Sequence, residues 1–471
     1  MPSSDQSAAP VRVLLVNLNR YDQPSPVYPL GLAYVDSALR AAGHATRIWD
    51  ARMSPAPLEA AVAAFAPDYV GLSLRNIDNV QCHNPRSFIH ELLECCRNLR
   101  ACTRAPLVLG GSGFSVFPRE LYELTGVDYG IAGDGERAFV RLLAARAAGA
   151  APDDIAGVVF RDSAGGVQHV PAAADAADFT VDPVHDPALL AAYVAQGALP
   201  GVQTQRGCPL NCCYCTYPLI EGKRSRFRSG GEIAAEMGRL AALGVRYAFI
   251  VDSVFNTRPD HVREICEALI RAKLDLHWEC FLRPHGVTRE LLALMQRAGL
   301  RHIEFGSDSF SDPVLARYGK SFTFDDIRQA SEAAHALGLH YGHFIIFGGP
   351  GETPATLEET LSRTALLPGA FFFATIGMRI YPGTPLWRQL APERKGETPA
   401  DYLIEPRFFL EPPFTAASLQ ARIQAARSAT QSWTVGDLPP QFVETMGKLR
   451  DRGLRGPFWE YAEVLQRLQP R

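Results

Sequence analysis

The feature that most limits the fold is a unit repeated down the second half of the chain. A helical stretch stops at a glycine and a short apolar run follows: Leu243-Gly244-Val245-Arg246-Tyr247-Ala248-Phe249-Ile250, Ala298-Gly299-Leu300-Arg301-His302-Ile303-Glu304-Phe305, and Leu337-Gly338-Leu339-His340-Tyr341-Gly342-His343-Phe344. Glycine just past the last helical turn adopts the left-handed conformation that closes a helix. The helices carry one-faced apolar spacing, as at Val262, Ile265, Leu269 and Ala272. Two open with proline at the first position, in Asp312-Pro313 and Thr353-Pro354. Six such units over residues 199–388 predict a partial parallel (β/α)6 barrel whose site lies at the strand carboxyl ends.

The first part of the chain alternates in the same way. Val11-Arg12-Val13-Leu14-Leu15-Val16-Asn17 is a largely apolar run of the kind buried on both faces of a parallel sheet. Helix patterns at Leu32 to Ala42, Leu58 to Phe65 and Ser87 to Leu99 alternate with strands at Ala45 to Trp49, Tyr69 to Ser73, Leu107 to Leu109 and Asp128 to Ala132. Residues 11–165 are therefore expected to form a doubly wound, Rossmann-like sheet with ligands at the strand carboxyl ends. The loops there are Leu74 to Asn79, Gly110-Gly111-Ser112-Gly113-Phe114-Ser115 and Gly133-Asp134-Gly135-Glu136. Glycines in such loops let a ligand approach the backbone, and they also make ordinary tight turns.

Between these halves stands Arg206-Gly207-Cys208-Pro209-Leu210-Asn211-Cys212-Cys213-Tyr214-Cys215, with Cys208, Cys212 and Cys215 in C-x3-C-x2-C spacing. Cysteine thiolates are the protein ligands of iron-sulfur clusters, and a 4Fe-4S cube held by three of them has one iron open. Structural zinc wants four ligands and usually a second Cys/His pair downstream, which does not follow. Cys213 would point away from Cys212 and reads as a packing residue. Cys82, Cys95, Cys96 and Cys102 lie on or beside a helix and suit packing, and His44 and His83 read as surface or packing residues.

The 471 residues, 47% hydrophobic and 21% charged, suffice for two or three globular domains, and a net charge of -3 offers no argument for nucleic acid. Met1 to Pro10 lacks the pattern of a signal sequence, and the most apolar stretch, Leu366 to Met378, is too short to span a membrane. Ten cysteines without a secretory signal fit a reducing compartment, so a cytoplasmic location is expected.

At the cysteine loop the chain resembles the radical S-adenosylmethionine (SAM) enzymes. The resemblance implies that SAM chelates the open iron of a 4Fe-4S cluster held by Cys208, Cys212 and Cys215, and that one electron, delivered by an external donor such as flavodoxin or ferredoxin, cleaves it to a 5'-deoxyadenosyl radical. It places Tyr214 beside adenine, Asp252 and Ser253 on the methionine part, and Arg283 on the SAM carboxylate. Asp308 and Ser309, in Gly306-Ser307-Asp308-Ser309, would bond ribose. Gly348 and Gly349, in Gly348-Gly349-Pro350-Gly351-Glu352-Thr353, would admit SAM, and Ile380 and Tyr381 would flank adenine. Gly230-Gly231-Glu232 spells a motif by which many such enzymes hold the methionine amine, but it precedes a helix, and Glu232 reads as a first-turn acid.

Upstream, the first domain looks like a cobalamin-binding domain. That implies a cradle built from Ser73, Arg75, Asn76, Gly110, Gly111, Gly113, Gly133, Gly135 and Glu136. The stretch Asn17 to Pro24 has no cobalt-binding histidine in the place where many such domains carry one, implying a cobalt without histidine below it.

The whole is similar to cobalamin-dependent radical SAM methyltransferases, which implies methylation of an unactivated carbon of a small molecule. A rearrangement or cyclisation with the same cofactors, a domain holding no cobalamin, and a non-catalytic sensor are the competing readings. Residues 166–198 read as a linker. Residues 389–471 read as a small helical segment, patterned at Leu419 to Trp433 and Pro457 to Leu468, with aromatics that pack or close over substrate.

Overall fold

The computed structural model describes residues 9–171, 179, 181–393, 396–426, 432–438 and 440–452. The first sheet has strands β1 (Arg12–Asn17), β2 (Ala45–Asp50), β3 (Tyr69–Ser73), β4 (Leu107–Gly110), β5 (Tyr129–Ile131), β6 (Val158–Arg161) and β7 (Val167–His169), in the order β2-β1-β3-β4-β5-β6-β7. The first five are parallel. Val13, Leu14, Leu15 and Val16 are wholly buried, as a strand covered by helices on both faces requires. The order reverses between β1 and β3, which opens the crevice where such sheets take ligands.

Two boundaries differ from the sequence reading. The first sheet does not stop at Gly165: β6 and β7 form an antiparallel hairpin whose turn is closed by Asp162, which accepts from the Ala164 and Gly166 N–H groups. The stretch read as a linker also holds a helix, Pro187–Ala195, capped by Asp186. Tyr193 of that helix bonds Asp50 at the end of β2, 2.9 Å away, so the segment is tied across the strand ends.

The second sheet comprises β8 (Gly201–Val202), β11 (Tyr247–Ile250), β12 (His277–Leu282), β13 (Leu300–Asp308), β14 (His340–Phe347) and β15 (Phe371–Ile376), all parallel. These are the six strands of the partial barrel. Two small hairpins flank it, β9 (Gln205–Arg206) with β10 (Arg226–Phe227), and β16 (Met378–Arg379) with β17 (Phe408–Phe409). The carboxyl-terminal segment is not helical alone. After the helix Ala416–Ala426, strand β18 (Ser432–Val435) joins β15 in parallel as a seventh member, and Trp433 packs on Phe372 at 4.7 Å between ring centroids. The pattern at Pro457 to Leu468 lies outside the described residues. Among the described residues no helix is long and apolar enough to cross a membrane.

One apolar cluster runs across from the first domain to the second. Leu14, Leu72 and Phe114 of the first domain cluster with Cys213, Tyr318, Met378 and Ile380 of the second. A buried ion pair crosses the same boundary, with Arg379 Nε 2.9 Å from Asp78 Oδ2 and their side chains 2% and 1% exposed. The loop after β3 is thereby fixed over the carboxyl end of the barrel.

Candidate functional site

Residues 207–225 form a loop closed at its base by β9 and β10, where Arg206 pairs with Arg226. Gly207 has φ of +89°, and a Cβ there would lie 2.1 Å from Arg224 O, so only glycine fits. Its N–H donates to Glu221 Oε2 at 3.0 Å, and the Cys208 N–H to Gly222 O at 3.0 Å. Cys208 is buried, while Cys212 and Cys215 are half-buried. Cys213 turns into the shared cluster, its Sγ 3.6 Å from Met378 Sδ.

Burial pushes the Cys215 thiol up to about 12, and the neighbouring Cys212 and Cys208 add to the shift. Thiols held this way ionise when a metal centre supplies positive charge. Among the described residues no three His, Cys, Asp or Glu side chains are grouped to share a single metal ion. A cube fits the loop on this point, because its thiolates sit on different irons and need not converge.

The strand ends bring some of the expected SAM residues to the loop and spend others elsewhere. Ser253 Oγ and Arg283 Nε are buried polar atoms without a hydrogen-bond partner, as a site awaiting a charged ligand has them. Arg283 is held by a reciprocal pair with Asn256, whose amide accepts from the Arg283 N–H at 3.0 Å and donates to its carbonyl at 2.9 Å.

Asp252 is engaged with the chain that leads into the cysteine loop. Its Oδ1 accepts from the N–H groups of Thr204 at 2.7 Å and Gln205 at 3.2 Å, and its Oδ2 from the Thr204 hydroxyl at 2.5 Å, so both oxygens are used in pinning the chain just before the cysteine loop. Burial pushes this carboxyl up to about 7, against hydrogen bonds that favour the anion.

Asp308 and Ser309 are likewise engaged rather than open to ribose. Asp308 has φ of +63°, uncommon outside glycine, and aims its Oδ2 at Lys320 Nζ and the Tyr214 hydroxyl, each 2.5 Å away. Ser309 Oγ bonds Thr360 at 3.2 Å and accepts from the Ser311 N–H at 3.1 Å. Gly348 and Gly349 lie close against the protein: a Cβ would meet Leu410 at 2.6 Å in the first and the Tyr318 hydroxyl oxygen at 2.2 Å in the second. Ile380 is buried in the shared cluster, and Tyr381 lies under the Arg379 guanidinium at 4.9 Å. Glu232 is the third residue of a capping box with Ser229, as the sequence reading has it.

In the first domain, Ser73 ends β3 beside Gly110. Gly111 and Gly113 let their loop lie against Leu74 to Asn76, since added Cβ atoms would come within 2.5 Å and 3.0 Å of Leu74 O. Ser112 Oγ donates to Arg75 O at 2.8 Å. In the amide orientation that satisfies both groups, Asn76 accepts from Arg75 Nη1 at 3.2 Å.

Burial lowers the Arg75 pKa, with the phenols of Tyr217 and Tyr193 facing it. Tyr217, just beyond the cysteine loop, keeps 39% of its surface accessible across from this cradle. Arg75, Asn76, the loop backbone and an aromatic ring stand together here, polar and apolar groups of the kinds that a large ligand rich in amides meets. Gly133 and Gly135 stand at the neighbouring loop, with the Gly133 N–H on Ser115 Oγ at 2.9 Å. Glu136 is not directed to a ligand. It is buried with its Oε1 2.5 Å from Arg206 Nη2, because an arginine so placed needs a counter-charge.

Sequence reasoning missed Lys320, which also reaches Tyr214 Oη and Gly306 O at 3.4 Å each and bonds Cys212. Burial opposes its charge, yet Asp308 and Cys212 hold the ammonium above its ordinary value. Its only signal in the chain is a lysine following Gly319 at a helix end. The paired carboxylate lies on another element.

Two family models match: the radical SAM superfamily over residues 202–364 and the B12 binding domain over residues 22–143. The tryptophan 2-C-methyltransferase of Streptomyces laurentii is 25% identical, over 82% of this chain and 75% of its own. The anaerobic magnesium-protoporphyrin IX monomethyl ester cyclase of Rubrivivax gelatinosus is 26% identical, over 54% of this chain and 47% of its own. Among solved structures, the radical SAM methyltransferase TsrM of Kitasatospora setae, with cobalamin and a 4Fe-4S cluster bound, superposes with a TM-score of 0.85 at 24% identity, over 98% of this chain and 99% of that one.

Proposed function

From the premise that this chain belongs to the cobalamin-dependent radical SAM methyltransferase family, we propose that it methylates an unactivated carbon of a small molecule. The observation that carries this reading is the placement of three cysteine thiols and the loops of Arg75, Asn76 and Gly110 to Gly113 beside one another on two domains joined by an apolar cluster. The chemistry the cofactors supply is reductive cleavage of SAM at the cluster and carriage of a methyl group by cobalamin.

The chain's own residues do the positioning. Cys208, Cys212 and Cys215 hold the cluster. The Arg283 guanidinium pairs with the SAM carboxylate, and Ser253 Oγ bonds its methionine part. Lys320 keeps Asp308 and Tyr214 locked beside Cys212, so the wall next to the cluster stays dry and rigid. Arg75, Asn76 and the backbone at Gly110 to Gly113 would hold cobalamin.

An aromatic amino acid is the first substrate to try, since the Streptomyces laurentii relative is named for tryptophan. The test is anaerobic turnover of reconstituted protein with methyl-deuterated SAM, a reductant and a panel of such candidates. The reading expects a product heavier by the labelled methyl. A product carrying no label would replace it with a rearrangement or cyclisation.

A further inference from the structure

The hairpin that closes the cysteine loop is stapled to the first domain. Arg206 and Arg226 stand opposite each other on β9 and β10, a juxtaposition of like charges that destabilises an isolated ribbon. Both are neutralised from across the domain boundary. Arg206 Nη1 lies 3.2 Å from Asp134 Oδ1 and Nη2 2.5 Å from Glu136 Oε1, while Arg226 Nη1 takes Asp134 Oδ2.

The Arg206, Arg226 and Glu136 side chains are 9%, 6% and 7% exposed. The Arg206 guanidinium also lies over the Phe179 and Tyr34 rings, at 4.0 and 4.8 Å. Two cations and two anions therefore cancel in an aromatic-lined contact that is buried except at Asp134, whose side chain is 33% exposed. On one side of it, Arg226 Nη2 donates to Glu221 O, and Glu221 in turn accepts from the Gly207 N–H at the foot of the cysteine loop. On the other side, Gly133 bonds Ser115, which follows Gly111 and Gly113, and the Gly113 N–H rests on Leu74 O.

An unbroken run of contacts thus leads from the cysteine loop to the backbone around Arg75. We propose that Arg206, Arg226, Asp134 and Glu136 form an ionic clamp that couples the two cofactor sites, so that filling the cysteine loop with its cluster tightens the cobalamin cradle, and the converse. The proposal rests on the cofactor reading above. The four are positioning residues and touch neither cofactor. Holding the hairpin against the first domain serves both sites, so whichever cofactor first fixes that contact lowers the cost of fixing it for the second. Coupling of this kind is reciprocal. The carboxylates of Asp134 and Glu136, already neutralised, have little charge to offer the cobalamin tail, which is why their role falls to the domain contact.

The test is hydroxocobalamin titration, followed by absorbance, of anaerobic full-length protein without iron and after cluster reconstitution. The clamp expects cobalamin to bind about tenfold tighter to the cluster-loaded form, within the usual range of about 5–150-fold for coupled sites. In Glu136→Gln and Asp134→Asn that ratio falls to within about twofold. The double variant Glu136→Gln/Arg206→Gln, which removes the Arg206–Glu136 pair together and leaves Arg226 with Asp134, guards against misfolding of the singles and expects the same loss of ratio.

The reverse arm is iron retention at equilibrium with a competing chelator, which cobalamin raises by the matching factor in the wild type alone. Equal cobalamin affinity with and without the cluster in the wild type overturns the clamp, as does a full ratio in folded variants. A merely structural role would weaken both forms alike and leave the ratio unmoved. No cobalamin binding in any form overturns the cofactor reading, and the clamp with it.

Discussion

Replacing Arg379 by Met isolates what holds the loop after β3 over the barrel. Arg379 Nε pairs with Asp78 at 2.9 Å, and its other nitrogens donate to the carbonyls of Ile380 at 2.8 Å, Tyr402 at 2.6 Å and Arg407 at 3.3 Å. Both partners are essentially inaccessible, so the Arg379→Met variant leaves a carboxylate buried without its cation. Breaking a buried pair from one side costs about 3–5 kcal/mol.

Asp78→Asn keeps the Val80 N–H bond to the side-chain oxygen and leaves Arg379 its three carbonyls, and is expected to cost about 1–3 kcal/mol. The double variant then falls well short of the sum, because neither charge is stranded. The assay is urea denaturation of the cobalamin-free protein, with the four species compared in one thermodynamic cycle. Cobalamin affinity of the folded variants is measured alongside. The residues Leu74 to Asn79 carry Arg75 and Asn76, so the Arg379→Met variant also weakens cobalamin although Arg379 sits in the other domain. Stability of that variant within about 1 kcal/mol of wild type, or a double variant as unstable as the sum, would refute the reasoning.

Three further outcomes are expected. Alanine at Cys208, Cys212 or Cys215 abolishes the visible absorbance of the reconstituted cluster. Cys213→Ala retains it, because that thiol packs on Met378, and costs about 1 kcal/mol of stability. Arg283→Met weakens SAM binding by about 10- to 100-fold by equilibrium dialysis, the range for losing a hydrogen bond to a charged group, and Ser253→Ala by less.

Glu352, whose Oε1 is buried without a partner, is pushed by burial up to about 7 from an ordinary 4.5. A raised acid contributes stability that is full below pH 4.5 and lost as pH rises through 7. Glu352→Gln should flatten this slope, up to about 3 kcal/mol by denaturant titration across pH 4 to 8. A slope unchanged by the substitution counts against the shift.

Much of the site's location was legible because alternation of strand and helix is a local signal. A glycine after a helix and an apolar run after it place a loop at a strand carboxyl end without reference to the rest of the chain. The cysteine spacing is local in the same sense, and Cys213 was readable as a packing residue from its adjacency to Cys212 alone. The charged residues were a different matter. Asp252, Asp308 and Glu136 stand where ligand-binding acids would, and each is spent on a partner: Thr204 lies 48 positions from Asp252 and Arg206 lies 70 from Glu136. Strand β18 was missed because its short apolar stretch follows a helix pattern and reads as its continuation.

By itself the amino-acid order determined two parallel sheets in succession and three thiols on the loop that opens the second. Period and spacing act over a few residues, and those few residues suffice to set backbone conformation. Only the tertiary structure decided which polar atoms stay unpaired, Ser253 Oγ and Arg283 Nε among them, and which are consumed in clamps such as Asp78 with Arg379, 301 positions apart. The reason is physical. A buried charge must find a counter-charge wherever packing brings one, and that partner is chosen in space, where distance along the chain has no weight.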